Sequence, residues 1–307
     1  MRIIRNCLLL LLFTGWVVTP AHSSPVAQKV RQFQFGVLQQ HAKGSDASLL
    51  EEIERANQKN LAFLVINGIK SNDEPCSDSL YLRRKDLLNS AAKEQVVSLA
   101  GSDWVDCKNE DGKPLAAERL QRLRELFFDH EPPANAGKLR LVRQSVTPQF
   151  RNFPENAYWQ RSKIIFATIN MPAENNHYLS AAGRNSEFED RLIANRHWLQ
   201  RIFSLARLHK MRGIVLFTDG NPLAPPNRPS AGQRDGFLEM RKQLTQLAAR
   251  FPGRILLVHG HASSTAKQIL WRDNMGSIGA GRTFLEITVN PASYQVFSLM
   301  HAGSGRK

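Results

Sequence analysis

Short apolar runs separated by amphipathic segments predict strands that alternate with helices in the first part of the chain. Residues 33–38 and 61–66 are apolar enough for buried strands, and each run stops at a polar loop. Between them, residues 47–58 carry apolar side chains at helical spacing, with Ser45 or Asp46 available as the N-cap. A strand, a helix and a strand in this order predict a parallel pair joined by a helical crossover.

The same alternation continues along most of the remaining chain. Further helices are predicted over residues 77–90, 116–128, 187–210 and 237–250, and further strands over 95–99, 163–169, 213–218 and 254–258. Two later segments, 283–289 and 294–299, have no helix between them and predict an antiparallel hairpin. The glycine-containing run 276–281 is expected to form a turn. No repeat and no low-complexity tract divides the sequence, so one domain is the expected organisation.

The first residues have the order of a secretory signal peptide. Basic residues open the chain, an apolar run covers residues 8–18, and small residues follow at Ala21-His22-Ser23. We expect residues 1–23 to be removed and residues 24–307 to form the exported domain. The apolar run is short for a transmembrane helix, and a retained membrane anchor is the alternative interpretation.

Removal of the signal peptide also removes Cys7 and leaves Cys76 and Cys107. An even pair of cysteines in an exported protein indicates a disulfide. This bond would join the loops that follow the second and third predicted strands. Two buried free thiols are the alternative.

The formal net charge of +14 and the isoelectric point of about 10.1 have two interpretations. A basic chain can bind nucleic acid, anionic lipid or acidic glycan, or it can carry a solvated basic surface without a polyanionic partner. Lysine and arginine are spread along the sequence, and no cluster interleaves them with aromatic residues. We therefore favour the solvated surface and expect no specific nucleic-acid binding. The sequence also lacks the Gly-x-Ser-x-Gly elbow and the Gly-Lys-Ser/Thr phosphate loop.

Two loop motifs share the property that each contains one of the paired cysteines. They read Glu74-Pro75-Cys76-Ser77-Asp78 and Ser102-Asp103-Trp104-Val105-Asp106-Cys107. Further motifs are Gly68-Ile69-Lys70, Glu118-Arg119-Leu120, Asn175-Asn176, Glu187-Phe188 and Val258-His259-Gly260. In this order they resemble the calcineurin-like metallophosphoesterase family, in particular a group of exported bacterial members. The resemblance covers most of the mature chain and implies an α/β sandwich of two mixed β-sheets flanked by helices, in a periplasmic or secreted protein.

The chemistry of that family implies two metal ions held by Asp, His and Asn side chains from separate loops. The metals lower the pKa of a bridging water and stabilise charge on a phosphoryl group. A bridging carboxylate is important because it is anionic and offers two oxygens. This sequence departs from that requirement: Gln40 replaces the first aspartate, Asn67-Gly68 stands where a Gly-Asp pair is expected, and Gly101-Ser102 replaces a metal-binding residue.

Other loop residues have side chains that, by this resemblance, could act in catalysis, metal binding or ligand binding. His261 and Asp103 are the candidate catalytic residues, and His261 and His177 are the candidate metal ligands. His259 can pair with His261 because alternate residues of an extended segment point to the same side. Side chains that could contact a ligand are those of Gln40, Asn67, Lys70, Ser102, Asn175, Asn176 and His259.

This pattern predicts an exported protein that keeps the phosphoesterase scaffold and has lost most of its dinuclear metal site. Such a protein would be non-catalytic or weakly active, would need no cofactor, and would bind an anionic ligand or a partner. One alternative is an active Mn- or Fe-dependent phosphoester hydrolase in which Asp73, Asp78, Asp106 or Asp219 enters the site. A basic polyanion-binding module is the second alternative.

Overall fold

The computed structural model describes residues 31–40, 44–129, 139–179, 185–225, 234–260, 267–281 and 284–300. The predicted signal peptide therefore lies outside the described residues. No helix of the described segments is long and apolar enough to cross a membrane.

The predicted strand–helix–strand unit is confirmed near the amino terminus. It consists of β1 (Phe33–Gln39), α1 (Asp46–Asn57) and β2 (Leu64–Asn67). The two strands pair in parallel, with Gly36 opposite Leu64. Ser45 is the N-cap of the helix: its hydroxyl accepts a hydrogen bond from Ser48 N at 3.2 Å, which satisfies one of the free amides of the first turn.

A five-stranded sheet grows from this unit. After α2 (Asp78–Asn89), β3 (Gln95–Ser98) adds in parallel beside β2. The strands of the predicted hairpin, β11 (Leu285–Val289) and β12 (Phe297–Leu299), are indeed antiparallel to each other, and β11 closes the sheet against β1. The strand order is β12-β11-β1-β2-β3.

A second, seven-stranded sheet holds the remaining strands. They are β4 (Val142–Arg143), β5 (Ala157–Arg161), β6 (Ile164–Thr168), β7 (Gly213–Thr218), β8 (Arg254–His259), β9 (Leu270–Arg272) and β10 (Met275–Gly279). The order is β4-β5-β6-β7-β8-β10-β9, with a parallel centre and antiparallel strands at both edges. The predicted turn at residues 276–281 is wrong, because most of that run belongs to β10, which pairs in parallel with β8.

The helices cover the outer faces of the two sheets. α3 (Ala116–Phe127) follows the disulfide loop, and α5 (Ser186–Leu208) and α6 (Leu238–Ala249) pack on the seven-stranded sheet. The short element α4 (Ala173–Asn176), absent from the predictions, has left-handed backbone angles in its interior. The predicted arrangement of two mixed sheets flanked by helices is thus confirmed.

The sheets pack face to face through a cluster of aromatic rings. Phe35 and Phe63 of the five-stranded sheet are stacked at 5.2 Å, and both meet Phe166 of the other sheet edge to face. Trp159 and Phe217 extend the same cluster. Burial of each such side chain contributes roughly 1.5–3 kcal/mol. This core fixes the strands, and therefore fixes the positions of the loops at their carboxyl ends.

The predicted disulfide between Cys76 and Cys107 is present, with a Cα–Cα distance of 5.7 Å. It links the loop after β2 with the loop after β3. Its immediate surroundings are apolar on one side, where Tyr81, Leu120 and Trp104 form a small buried cluster under α3.

Candidate functional site

Two amide side chains meet at the carboxyl ends of β1 and β2. Asn67 Nδ2 donates a hydrogen bond to Gln39 Oε1 at 2.5 Å and lies 3.5 Å from Thr218 O at the end of β7. Gln39 is the last residue of its strand, and the predicted Gln40 follows one position later. Because side chains alternate along a strand, Gln40 points elsewhere, and its Cβ lies beside Gly68.

Gly260 closes this group from the end of β8. Its backbone N–H donates to Thr218 O at 3.0 Å. A Cβ atom at residue 260 would collide with side-chain atoms of Asn67, Gln39 and Asp219. The four residues are therefore packed against one another, and we call them the strand-end cluster.

Asp219 brings a carboxylate into the strand-end cluster. Its Oδ2 accepts hydrogen bonds from Gly101 N at 2.7 Å and from Ala173 N at 2.8 Å. These bonds join the loops after β3, β6 and β7. Asp219 was considered only as an alternative in the sequence, although it directly follows a strand in the same way as Asn67.

Asp103 is a second buried carboxylate, and it organises the loops after β2 and β3. Oδ1 accepts from Ile69 N and Lys70 N at 2.7 and 3.0 Å, while Oδ2 accepts from Ala100 N at 2.8 Å. Burial raises the pKa of Asp103 to about 6, although the three backbone amides favour the ionised form. The side chain is fully enclosed, so this predicted catalytic residue lies behind the loop surface.

Lys70 and Ser102 line a cavity of about 230 Å³ beside the disulfide. The other lining residues are Asn72, Glu74, Pro75, Cys76, Asp106, Cys107 and Lys108. Lys70 Nζ donates to Ser71 O at 2.7 Å, and Ser102 Oγ donates to Lys70 O at 3.0 Å. Burial lowers the pKa of Lys70, and Asp103 and Glu74 oppose that effect. These two predicted ligand-binding residues therefore do share a cavity.

His177 belongs to a different group, behind Trp104. Its Nδ1 lies 3.2 Å from Glu187 Oε2, and its ring meets the Trp104 ring edge to face at 4.9 Å. Arg191 Nε donates to Glu187 Oε1 at 2.6 Å. Burial acts to raise the pKa of Glu187, but Arg191 and His177 outweigh it and lower the pKa to about 2. The ionised carboxylate of Glu187 is thus held between the guanidinium of Arg191 and the imidazole of His177.

Asn175 and Asn176 use their amides to fix the backbone of α4. Asn176 Oδ1 accepts from Arg191 Nη1 at 2.6 Å, and its Nδ2 donates to Gly236 O at 3.1 Å. Asn175 Oδ1 accepts from Gly236 N at 2.8 Å. Residues 174–177 all have φ between 53° and 56°, a left-handed conformation in which asparagine is tolerated better than most residues. The structure therefore gives these two predicted ligand-binding residues a positioning role.

His259 has both ring nitrogens engaged. Nδ1 lies 2.9 Å from Gly260 O, and Nε2 lies 3.1 Å from Asn221 Nδ2. Since a carbonyl oxygen only accepts and an amide NH₂ only donates, these contacts fit a neutral ring protonated at Nδ1. His261, the predicted partner of His259 and the predicted catalytic histidine, lies outside the described residues.

No protein-family model matches the sequence, and no curated protein matches it. The fold matches the structure of PhoD with a TM-score of 0.53 at 10% identity, over 85% of this chain and 64% of PhoD. A protein assigned as a 5′-nucleotidase from Staphylococcus aureus matches with a TM-score of 0.45 at 14% identity, over 88% of this chain and 53% of that one. PhoD belongs to the calcineurin-like metallophosphoesterase superfamily. The chain has the metallophosphoesterase fold.

The strand-end cluster does not fit the paired divalent metals used by metallophosphoesterases of this fold. Gln39 and Asn67 are neutral, Asp219 contributes one carboxylate, and Asp103 uses both oxygens on backbone amides. Asn67 Oδ1 is buried with no hydrogen-bond partner among the described residues, but a single amide oxygen cannot offset the charge of two dications. Within the described segments no group of three or more His, Cys, Asp or Glu side chains could hold a metal ion.

Proposed function

We propose that this chain is an exported protein in which the metallophosphoesterase fold has lost its paired-metal centre. It serves as a binding protein for an anionic ligand and does not hydrolyse phosphoesters at an appreciable rate. Export agrees with the basic, apolar and small-residue order of the first 23 residues and with the disulfide. The chain spans 64% of the length of PhoD, so the activity of that protein is not carried over.

The hydrogen bond between Asn67 and Gln39 is the observation that supports this proposal most directly. It occupies the ends of the two strands from which the resemblance leads us to expect carboxylates for the metals. Gly260 packs on the same two side chains, so the position is filled by protein atoms. Restoring a metal pair would require new carboxylates and also space for the ions.

The cavity beside the disulfide is the proposed anion site. Its charged lining residues are Lys70, Lys108, Glu74 and Asp106, and Arg84 pairs with Glu74 from outside the lining. Ser102 adds a hydroxyl to the same wall. Because Arg84 offsets the charge of Glu74, the ammonium groups of Lys70 and Lys108 are the donors that we propose for a small anion such as phosphate.

Elemental analysis tests the loss of the metal centre. The mature protein is loaded with Mn²⁺ or Fe²⁺, desalted, analysed for bound metal, and assayed for hydrolysis of an aryl phosphate. We expect far less than one metal per chain and no turnover above buffer. Stoichiometric metal together with turnover that His261→Ala abolishes and His209→Ala preserves would establish the alternative, an active hydrolase with a rearranged site.

Titration with inorganic phosphate tests the cavity. We expect phosphate to raise the melting temperature of the wild-type protein, and Lys70→Gln and Lys108→Gln to remove that increase. Lys113→Gln is the matched control because Lys113 is exposed in the neighbouring loop and does not line the cavity. Lys108 is exposed, so its replacement tests the charge without disturbing the buried packing around Lys70. An unchanged wild-type melting temperature in phosphate would reject the proposed anion site.

A further inference from the structure

The fold assembles a group of basic and aromatic residues at the end of the seven-stranded sheet opposite the strand-end cluster. We call it the basal platform; its members are Lys163, Arg212, Arg254, Trp271, Arg272 and Tyr294. Lys163 immediately precedes β6, Arg212 immediately precedes β7 and Arg254 is the first residue of β8. Parallel strands start at one edge of a sheet, so these three cations are neighbours.

Backbone hydrogen bonds join the three segments that carry these cations. Arg212 N donates to Lys163 O at 2.8 Å, and Arg254 N donates to Arg212 O at 3.1 Å. Arg212 Nε also donates to Pro291 O at 3.1 Å, which ties this edge to the β11–β12 connection that carries Tyr294. The platform therefore spans both sheets.

Arg254 lies between two exposed aromatic rings. Its guanidinium carbon is 4.5 Å from the centroid of Tyr294 and 5.3 Å from that of Trp271, within the range of a cation–π contact. Tyr294 is 81% exposed and Trp271 is 40% exposed. The two rings stand on either side of one cation and form an exposed aromatic patch, and such contiguous patches mark interaction sites more often than single exposed residues do.

The strand β10 supports Trp271 from below. Trp271 pairs with Gly276, and a Cβ atom on that glycine would press against the indole ring. The absence of a side chain at Gly276 thus leaves room for the indole to lie on the sheet, where Arg254 contacts the ring and part of it stays exposed. Asn274 anchors the β9–β10 hairpin, because its Nδ2 donates to Phe251 O at 2.8 Å and to Ala248 O at 3.0 Å. The ring is presented by a fixed support.

Charge is strongly positive around the two rings. Arg272 follows Trp271 in β9, and Arg272, Lys163 and Arg212 are all exposed. Asp273 is the acidic residue of the hairpin turn, and its carbonyl oxygen accepts from Arg254 Nη1 at 2.9 Å. Four cations against one carboxylate favour a ligand that carries repeated negative charge.

We propose that the basal platform binds an anionic polysaccharide. A sugar ring would lie on the exposed ring of Tyr294 and against the exposed part of Trp271, where its C–H groups contact the aromatic rings, while acidic groups of the polysaccharide meet the surrounding guanidinium and ammonium groups. Arg254 already fills the space between the two rings, so no nucleic-acid base can be inserted there. The disulfide indicates an oxidising compartment, where acidic glycans are available partners. This surface is separate from the cavity beside the disulfide.

Binding of an oligogalacturonate to the full mature chain tests this proposal. A neutral dextran and an oligodeoxythymidylate of matched length serve as comparison ligands. We expect the oligogalacturonate to bind at low salt, the dextran not to bind, and the affinity to fall as salt rises. Trp271→Ala combined with Tyr294→Ala should weaken binding roughly tenfold or more, and Arg272→Gln should weaken it by several-fold. Both rings are exposed, so circular dichroism of these variants should match the wild type.

Two control variants make the result specific to the platform. Lys242→Gln removes an exposed cation of α6, and Leu208→Ala removes an exposed apolar side chain of α5, both away from the platform. Both are expected to bind the oligogalacturonate as the wild type does. The proposal is overturned if the wild type does not bind at low salt, or if Lys242→Gln weakens binding as much as Arg272→Gln. Tighter binding of the oligodeoxythymidylate through the same two rings would also overturn it, in favour of a single-stranded nucleic acid.

Discussion

Asn67 and Gln39 meet side chain to side chain at the ends of two adjacent parallel strands, with Asn67 Nδ2 donating to Gln39 Oε1 at 2.5 Å. In a metallophosphoesterase with paired metals, this is where anionic oxygens would be needed. This hydrogen bond joins the two strand ends directly, while Asn67 Oδ1 is buried without a hydrogen-bond partner among the described residues. The tolerance of these strand ends for a carboxylate is open to direct measurement.

Asn67→Asp is expected to destabilise the protein at pH 7. The new carboxylate would be buried next to two acceptor oxygens, Gln39 Oε1 and Asp219 Oδ1. An uncompensated buried charge costs about 3 kcal/mol or more, and the loss should shrink as pH falls and the carboxyl takes up a proton. Thermal unfolding of the variant with and without Mn²⁺ measures this.

The exposed Asn72→Asp is the matched control for that change and should leave the melting temperature within error. If Mn²⁺ restored Asn67→Asp to wild-type stability, one carboxylate would be sufficient to recreate a metal site. That result would contradict the argument from packing around Gly260.

Asp219→Ala is expected to lower the free energy of unfolding by about 2–4 kcal/mol. It removes the acceptor shared by Gly101 N and Ala173 N, and each hydrogen bond to a charged group contributes about 1.5–3 kcal/mol. Asp219→Asn keeps one acceptor oxygen and should lose less. Urea unfolding compares the two, with the exposed Asp111→Ala as reference; equal stability of Asp219→Ala and wild type would show that the three loops hold together without this carboxylate.

Glu187 makes part of the free energy of unfolding depend on pH. Its pKa falls from the ordinary value of 4.5 to about 2 on folding, so the ionised form favours the folded state. This contribution, of the order of 3 kcal/mol, is fully present above pH 4.5 and is lost as pH falls toward 2. Glu187→Gln should therefore be less stable than wild type at neutral pH, and the difference should narrow below pH 4.5. A gap that stayed constant between pH 7 and pH 3 would mean that Glu187 is not held ionised by Arg191.

Removing the disulfide should cost about 3–4 kcal/mol in the chain-entropy model, because the cysteines are 31 residues apart. The double variant Cys76→Ala/Cys107→Ala and the reduced wild-type protein should unfold at similar denaturant concentrations. Phosphate binding should weaken in both, since the two cysteines line the cavity. Unchanged phosphate binding in the reduced protein would show that the cavity binds phosphate without the disulfide.

Sequence patterns predicted most of the framework because buried strands carry a strong local signal. The strand Gly213–Thr218 was predicted with both ends correct, since its apolar run is bounded by a glycine and an aspartate. The disulfide followed from cysteine number and the export signal. The strand β5 and the short strand β4 were missed, because the segment that holds them mixes polar and apolar residues without a clear period.

The candidate site was harder to predict at the level of single residues. Motif spacing placed Gln40 at the end of β1, but the side chain that meets Asn67 belongs to Gln39; a shift of one residue in a strand reverses the direction of the side chain. Asp219 shared the strand-end position of Asn67, yet only the fold shows that it joins three loops.

The basal platform could not be found from sequence clusters at all. Its residues come from five separate segments, and the closest pair of chain neighbours is Trp271 and Arg272. A search for basic residues interleaved with aromatic ones along the chain therefore indicated a plain solvated surface. Only the shared edge of parallel strands brings Lys163, Arg212 and Arg254 together.

In the left-handed turn at residues 174–177, the backbone angles favour glycine, whereas the contacts of the turn require side chains. Glycine would adopt its positive φ angles more easily than Glu174, Asn175, Asn176 or His177, at a saving of about 1 kcal/mol per residue. Glycine, however, has no side-chain amide to hydrogen-bond with Gly236 or Arg191, and no ring to pack against Trp104. At Glu174, whose side chain is exposed, glycine should be tolerated or preferred. At Asn176, glycine should remove the side-chain hydrogen bonds to Arg191 and Gly236 that hold the turn in place. Among related sequences, residue 174 should therefore vary freely, whereas residue 176 should always carry a side-chain amide.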